Sequence, residues 1–130
     1  MLDHIGIFVS DPEQSFRFFE KSLEPLGIVV RERQQKWGSI VMSSEDWPPF
    51  LWIGPAGGIF HGTEVKISER RPLHLAFKAP SKSTVESFYR IGLKNRDKNN
   101  STPAICGKRV YRAYLLDPDG NNIEAICRVI

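Results

Sequence analysis

The chain has few of the residues that staple a protein together or hold it in a membrane. Of its 130 residues only two are cysteines, Cys106 and Cys127. They make neither a disulfide framework nor a close-spaced metal motif, which leaves a loop thiol and a small apolar strand residue. No apolar run approaches the ~20 residues that cross a bilayer as a helix. The segment after Met1 lacks the layout of a signal peptide, so a cytoplasmic protein with no membrane partner is expected. Charge of one sign is scarce too: 18 basic against 15 acidic residues leave +3. That is too little to imply nucleic acid. The one local excess is KNRDKNN at 94–100, with Lys108, Arg109 and Arg112 beyond it. It reads either as a solvated loop or as a lure for an anionic ligand. No recognition helix or zinc finger accompanies it.

Histidine is scarce as well, at three, and two of them fall at equivalent places. His4 opens the apolar stretch of DHIGIFVSDPEQS (3–15), and His74 opens HLAFKAPSKS (74–83). Residues 2–9 have the apolar, branched character of a strand. Asp11 can cap a helix, with Pro12 at its first position and Gln14 three residues after the cap. Phe16, Phe19 and Leu23 recur at helical spacing, and Pro25 with Gly27 ends the helix. Strands are predicted at 28–33, 37–42 and 50–53, divided by turn-forming segments.

The plan then restarts. Residues 73–79 read as a strand; Ser81, or Ser83 with Glu86, caps a second helix whose apolar face holds Val85, Phe88 and Tyr89. Gly92 marks its end. Residues 95–101 read as a loop and 102–107 as the region of the next strand. Strands at 109–116 and 122–129 flank the turn DPDGN, where Pro118 and Gly120 supply fixed and permissive φ. A shift of seventy residues lays His4 on His74, Ile7 on Phe77 and Phe19 on Tyr89. Each half is thus strand, helix, then up to three strands. Neither is large enough to bury a core alone, so a single domain over 1–130 is expected, with module 1 at about 1–56 and module 2 at about 72–130.

Strand alternation places the candidate chemistry. His4 shares a face with Gly6 and Phe8, and His74 with Ala76 and Lys78, small neighbours that leave room beside each imidazole. Glu124 shares a face with Ile126 and Arg128, opposite Ile123 and Ala125. Two imidazoles and one carboxylate suit a borderline divalent cation, and three protein ligands leave positions open for water and substrate. Sequence spacing alone does not bring them together. The alternatives are a partly exposed terminal histidine at 4, a core histidine at 74 and a surface carboxylate at 124.

DHIGIFVSD, HLAFKA and YRAYLLDPDGNNIEAI jointly resemble the vicinal oxygen chelate superfamily, the group of glyoxalase I, bleomycin resistance proteins, fosfomycin resistance enzymes and extradiol dioxygenases. The resemblance implies an α+β fold in which paired βαβββ modules form a cup-shaped mixed sheet, often across a homodimer. It also implies that His4, His74 and Glu124 are metal ligands for a divalent ion (Fe, Mn, Zn, Ni or Co), and that the partner is a small-molecule substrate chelated through vicinal oxygens. Aligning PFLWIG with NNIEAI puts Trp52 opposite Glu124, and an indole has no lone pair for a metal. The fourth ligand of glyoxalase I is therefore missing. The remaining pattern is similar to the two-histidine, one-glutamate set of extradiol dioxygenases and metal-dependent fosfomycin resistance enzymes.

Beside Glu124, the candidate catalytic residues are Tyr111 and Arg109. Tyr111 and Tyr114 face opposite ways on a regular strand, with Arg109 on the side of the first and Arg112 on the side of the second. An inward guanidinium suits an anionic substrate. His61 lies in the linker, either as an acid or base near the cup or as an exposed loop residue. Trp47, Phe50 and Trp52 line an apolar pocket or pack in the core. The expected activity is that of a metal-dependent lyase, isomerase or dioxygenase; the alternative is a non-catalytic drug-binding protein of the bleomycin resistance kind.

Overall fold

The computed structural model describes residues 1–66, 72–94 and 99–128. The first half runs β1 (His4–Val9), α1 (Pro12–Leu23), β2 (Val29–Gln34), β3 (Ser39–Ser43) and β4 (Phe50–Pro55). A small hairpin, β5 (Ile59–Phe60) and β6 (Thr63–Glu64), follows in the linker. The second half runs β7 (His74–Lys78), α2 (Lys82–Lys94), β8 (Asn99–Cys106), β9 (Val110–Leu116) and β10 (Asn122–Arg128).

The local signals act largely as their chemistry requires. Asp11 accepts the Gln14 backbone N–H at 3.1 Å and Pro12 opens α1. A 3₁₀ turn, Glu24–Leu26, then ends at Gly27, whose φ of 75° is open to a residue without Cβ. At α2 the cap is Ser81, whose hydroxyl accepts the Thr84 N–H at 3.3 Å. Gly92 does not end this helix. It lies where α2 crosses α1 and the second sheet: a Cβ there would collide with Leu115 and stand 3.2 Å from Ser22 Cβ. Trp37 falls in the turn before β3 rather than in the strand. The expected loop at 95–101 is already strand from Asn99, while 95–98 and the predicted strand end at Val129 lie outside the described residues.

Each half forms its own four-stranded mixed sheet, in the orders β1-β4-β3-β2 and β7-β10-β9-β8. In both, the first and last strands pair in parallel and the remainder are antiparallel. The registers repeat as well: His4 faces Phe50 and Gly6 faces Trp52, as His74 faces Asn122 and Ala76 faces Glu124.

Both sheets turn the same parity inward. Ile7, Val9 and Ile53 of the first, Leu115, Ile123 and Ala125 of the second, and Phe18, Phe19 and Phe88 from the helices bury into one cluster. Full burial of each such side chain is worth roughly 1.5–3 kcal/mol, and the two halves share that gain. The opposite parity of each sheet therefore points away from the common core.

One irregularity re-aims side chains. Val30 pairs with Met42 but Glu32 pairs with Val41, so Arg31 is an extra residue in β2. This bulge lets Val30 pack on the core while Glu32 and Gln34 join Val41 on the outer face. Arg33 then reaches back to Glu20 of α1, at 2.7 Å.

The halves are also tied at one end. The Ser10 backbone N–H and hydroxyl donate to the Asp119 carboxylate. The DPDGN turn is held by buried Asp117, which accepts the Asn121 backbone N–H at 2.7 Å and its side-chain amide at 2.8 Å. Burial pushes the Asp117 carboxyl above its ordinary range, against those hydrogen bonds. Among the described residues no helix is long and apolar enough to cross a membrane.

Candidate functional site

On the outer face of the second sheet, Glu124 is 4% exposed. Its Oε2 lies 3.1 Å from His74 Nε2. Its Oε1 is buried without a hydrogen-bond partner, and Arg112 Nη1 stands 3.9 Å away. A carboxylate oxygen left so costs about 1–3 kcal/mol or more relative to one that is satisfied. The Asn122 amide sits 3.0 Å from His74 Nδ1. With that amide donating to Nδ1, Nε2 carries the ring proton and donates it to Glu124.

Tyr114 pairs directly with Glu124 across the strands. Burial and the Glu124 charge raise its pKa above 10.0, against the opposing pull of Arg112, so its hydroxyl keeps its proton at neutral pH. The Arg112 guanidinium covers the Tyr114 ring at 5.2 Å.

On the outer face of the first sheet, His4 Nδ1 donates to Asp3 Oδ1 at 2.7 Å, leaving Nε2 with its lone pair. A carboxylate behind the far ring nitrogen is the usual way of orienting a ligating imidazole. The His4 ring stacks on Phe50 at 4.6 Å, and Phe50 stacks on Trp47 at 4.6 Å. Trp52 fills the position that Glu124 holds in the other sheet. A hollow of about 570 Å³ opens over this face, edged by Phe8, Glu32, Trp37, Trp47, Trp52 and His61. His61 enters from the linker hairpin, at a φ of 47°, with its ring 6.5 Å from Trp37.

The three candidate metal ligands do not all meet. His74 and Glu124 touch; His4 belongs to the other sheet. Among the described residues no three His, Cys, Asp or Glu side chains come close enough to hold an ion. The cause is the common core, from which both outer faces point away. An apolar cavity of about 600 Å³, reaching Ile5 and Leu51 on one side and Leu75 and Phe77 on the other, separates the edges of β1 and β7.

Tyr111 and Arg109 are not on the Glu124 face. Tyr111 shares parity with buried Ala113 and Leu115, and its hydroxyl donates to Glu86 of α2 at 2.9 Å. Arg109 is exposed in the turn before β9. The tyrosine and arginine beside Glu124 are Tyr114 and Arg112. The signal was present in the sequence: Tyr111, Ala113 and Leu115 form the more apolar alternation, and counting back from the DPDGN turn pairs Tyr114 with Glu124.

Residues 1–125 match the family model for the Glyoxalase/Bleomycin resistance protein/Dioxygenase superfamily. The chain belongs to this superfamily. Solved structures share its fold along nearly the whole length. A glyoxalase/bleomycin resistance protein from Albidiferax ferrireducens T118 is 26% identical with a TM-score of 0.71, 98% of each chain being covered. A glyoxalase/bleomycin resistance protein/dioxygenase family enzyme from Burkholderia phytofirmans PsJN has a TM-score of 0.74 at 16% identity, again over 98% of each chain. A lactoylglutathione lyase from Agrobacterium tumefaciens gives 0.68 at 12%, over 98% of this chain and 92% of its own. Identities at those lower levels speak for the fold alone. No curated protein matches the chain. The glyoxalase superfamily includes metal-dependent lyases and dioxygenases, generally uses divalent ions and generally binds small molecules.

The donor chemistry of this glyoxalase-superfamily member fits such an ion in part. An imidazole nitrogen and a carboxylate oxygen 3.1 Å apart have the separation of two ligands that each lie about 2.1 Å from one cation. Glu124 Oε1, buried outside any hydrogen bond and 3.9 Å from Arg112, adds an acceptor. Within one chain the third donor is missing.

Proposed function

We propose that the protein is a metal-dependent lyase, isomerase or dioxygenase acting on a small substrate chelated through neighbouring oxygens. His74 and Glu124 of one copy and His4 of a second copy hold the ion, in a homodimer. The observation that carries this reading is Glu124: a buried carboxylate with one oxygen on His74 and the other outside any hydrogen bond. An exposed imidazole on the opposite outer face, its Nδ1 held by Asp3, is the donor that a second copy brings. When bound, the ion supplies a Lewis acid that stabilises negative charge developing on substrate oxygen.

This chain's own groups do the remainder. Asn122 holds the ring of His74 at Nδ1; for Nε2 to ligate, it gives up its proton and Nδ1–H donates to the Asn122 side-chain oxygen instead. Tyr114, protonated at neutral pH, donates its hydroxyl to a substrate oxygen. Arg112 beside it neutralises an anionic substituent, and its cover over the Tyr114 ring keeps both groups at the same spot. Trp52 in place of a fourth ligand speaks against a standard glyoxalase I reaction and leaves one more position open. Metal analysis of protein purified without added metal tests the reading. One tightly held Fe, Mn, Ni, Co or Zn per chain, lost in His74→Ala, is the expected result; an empty protein whose ligand binding ignores that substitution refutes it.

A second reading has its own support. The tryptophans around the first hollow favour sequestration of a small molecule without catalysis, as in a bleomycin resistance protein. Tight, stoichiometric binding with no turnover in the metal-loaded protein would select it.

A further inference from the structure

The floor of the first hollow is built before any ligand arrives. The Trp52 indole lies along β4 over Gly54, where a Cβ would run into the ring, and beside Gly6, where a Cβ would stand 3.6 Å from Cε3. Its Nε1–H donates to Gln34 Oε1 at 3.0 Å. Phe8 meets it edge-on at 5.3 Å. The wall is the stack of His4, Phe50 and Trp47, and Trp37 also lines the hollow. All three tryptophans of the chain line this one hollow. Core packing does not account for them, since Trp37 and Trp47 are 47% and 50% exposed.

The polar lining has one sign. Among the described residues that line the hollow itself, Glu32 is the sole carboxylate and none is Lys or Arg; Arg31 and Glu45, of opposite charge, stand in the adjoining groove between Glu32 and Trp47. The bulge at Arg31 aims Glu32 into the hollow. The Gln34 carbonyl is already taken by Trp52 and by the Ser39 hydroxyl, the latter at 2.8 Å. The acceptor on offer is therefore the Glu32 carboxylate, which takes one long hydrogen bond from the Gln34 amide at 3.5 Å, and the faces of the indoles add to the pull on a cation. Lys36 already lies over the Trp37 ring at 5.3 Å.

We infer that this hollow takes a planar aromatic ring carrying a protonated amine or other cationic N–H group, with the ring on Trp52 and the cation between Glu32 and Trp47. This deepens the proposed function by naming its substrate class, and it rests on that reading only in calling the ligand a substrate. Within one chain neither His74 nor Glu124 lines the tryptophan floor.

The test uses the full chain in EDTA and proflavine, a planar tricyclic cation, followed by fluorescence anisotropy, with anthraquinone-2-sulfonate as a planar anionic competitor. Saturable binding is expected. Glu32→Gln and Trp47→Ala, both at exposed side chains whose loss leaves the core intact, should each weaken it by about tenfold, as a cation–π or cation–carboxylate contact predicts. The anion should compete about tenfold more weakly, and His74→Ala should change nothing. No saturable binding, equal affinity for the anion, or indifference to Glu32→Gln overturns the inference. Metal content is read on protein purified without EDTA: absence of metal there refutes the metal reading, while saturable proflavine binding by the EDTA-treated chain supports this one whatever that outcome.

Discussion

Trp52 stands in the first sheet where Glu124 stands in the second, each directly across from the small residue two positions beyond a strand-opening histidine. One backbone plan therefore carries two chemistries. In the second sheet the position is a carboxylate beside an imidazole; in the first it is a flat indole bedded on glycine.

The His74–Glu124 contact governs metal retention. His74→Ala and Glu124→Gln should each lower retained divalent metal by at least about tenfold, the usual scale for loss of a ligand or its close support, as read by elemental analysis after dialysis. Retention should also fall with pH, because protons compete for the same nitrogen and oxygen. Metal content unmoved by both substitutions would place the ion elsewhere.

Site sharing makes a sharper demand. If His4 of one copy completes the pair on another, mixing His4→Ala with His74→Ala chains produces heterodimers with one intact and one doubly damaged site. Metal binding should return on mixing, to at most one ion per heterodimer, and light scattering should report a dimer throughout. Failure to recover any site would mean that the ligands do not cross between chains.

Gly54 makes room for the Trp52 ring. Gly54→Ala should destabilise the protein by about 1–3 kcal/mol, the range for overpacking. That appears as a drop of several degrees in Tm by circular dichroism, and proflavine binding should weaken with it. An unchanged melting curve would show that the indole moves aside freely.

Asp117 gives a pH signature in the acid range. Its folded-state pKa is raised above the ordinary 3.8 by burial, so between 3.8 and the raised value the folded chain holds more proton than the unfolded one. Stability should therefore fall as pH rises through that window, and the group adds no slope below it. Asp117→Asn should flatten that part of the profile in urea unfolding. A slope equal to that of the parent would assign the titration to another group.

Much of this was legible in the sequence because it rests on local periodicity. The alternation around His4, His74 and Glu124 gave the neighbours that share each one's face, and the alignment of PFLWIG with NNIEAI gave the equivalence of Trp52 and Glu124 that the strand registers show. What escaped depends on contacts between distant segments. Gly92 looked like a helix end because its packing against Leu115 and Ser22 cannot be read locally. Tyr111 looked as inward as Tyr114 until Ala113 and Leu115 were seen to be core. Nothing in VVRERQ announces the bulge at Arg31, since Arg and Glu alternate there whichever way the strand is laid. The short linker also hid a hairpin that brings His61 to Trp37.

That bulge has a consequence beyond geometry. Laid smoothly against β3, the same strand would present Arg31 and Arg33 to the hollow and turn Glu32 and Gln34 toward the helices. Two guanidinium groups would replace a carboxylate and an amide with no codon altered. The polarity of the compounds this cleft admits is thus written in the spacing of backbone hydrogen bonds, and a slip of one residue would invert it.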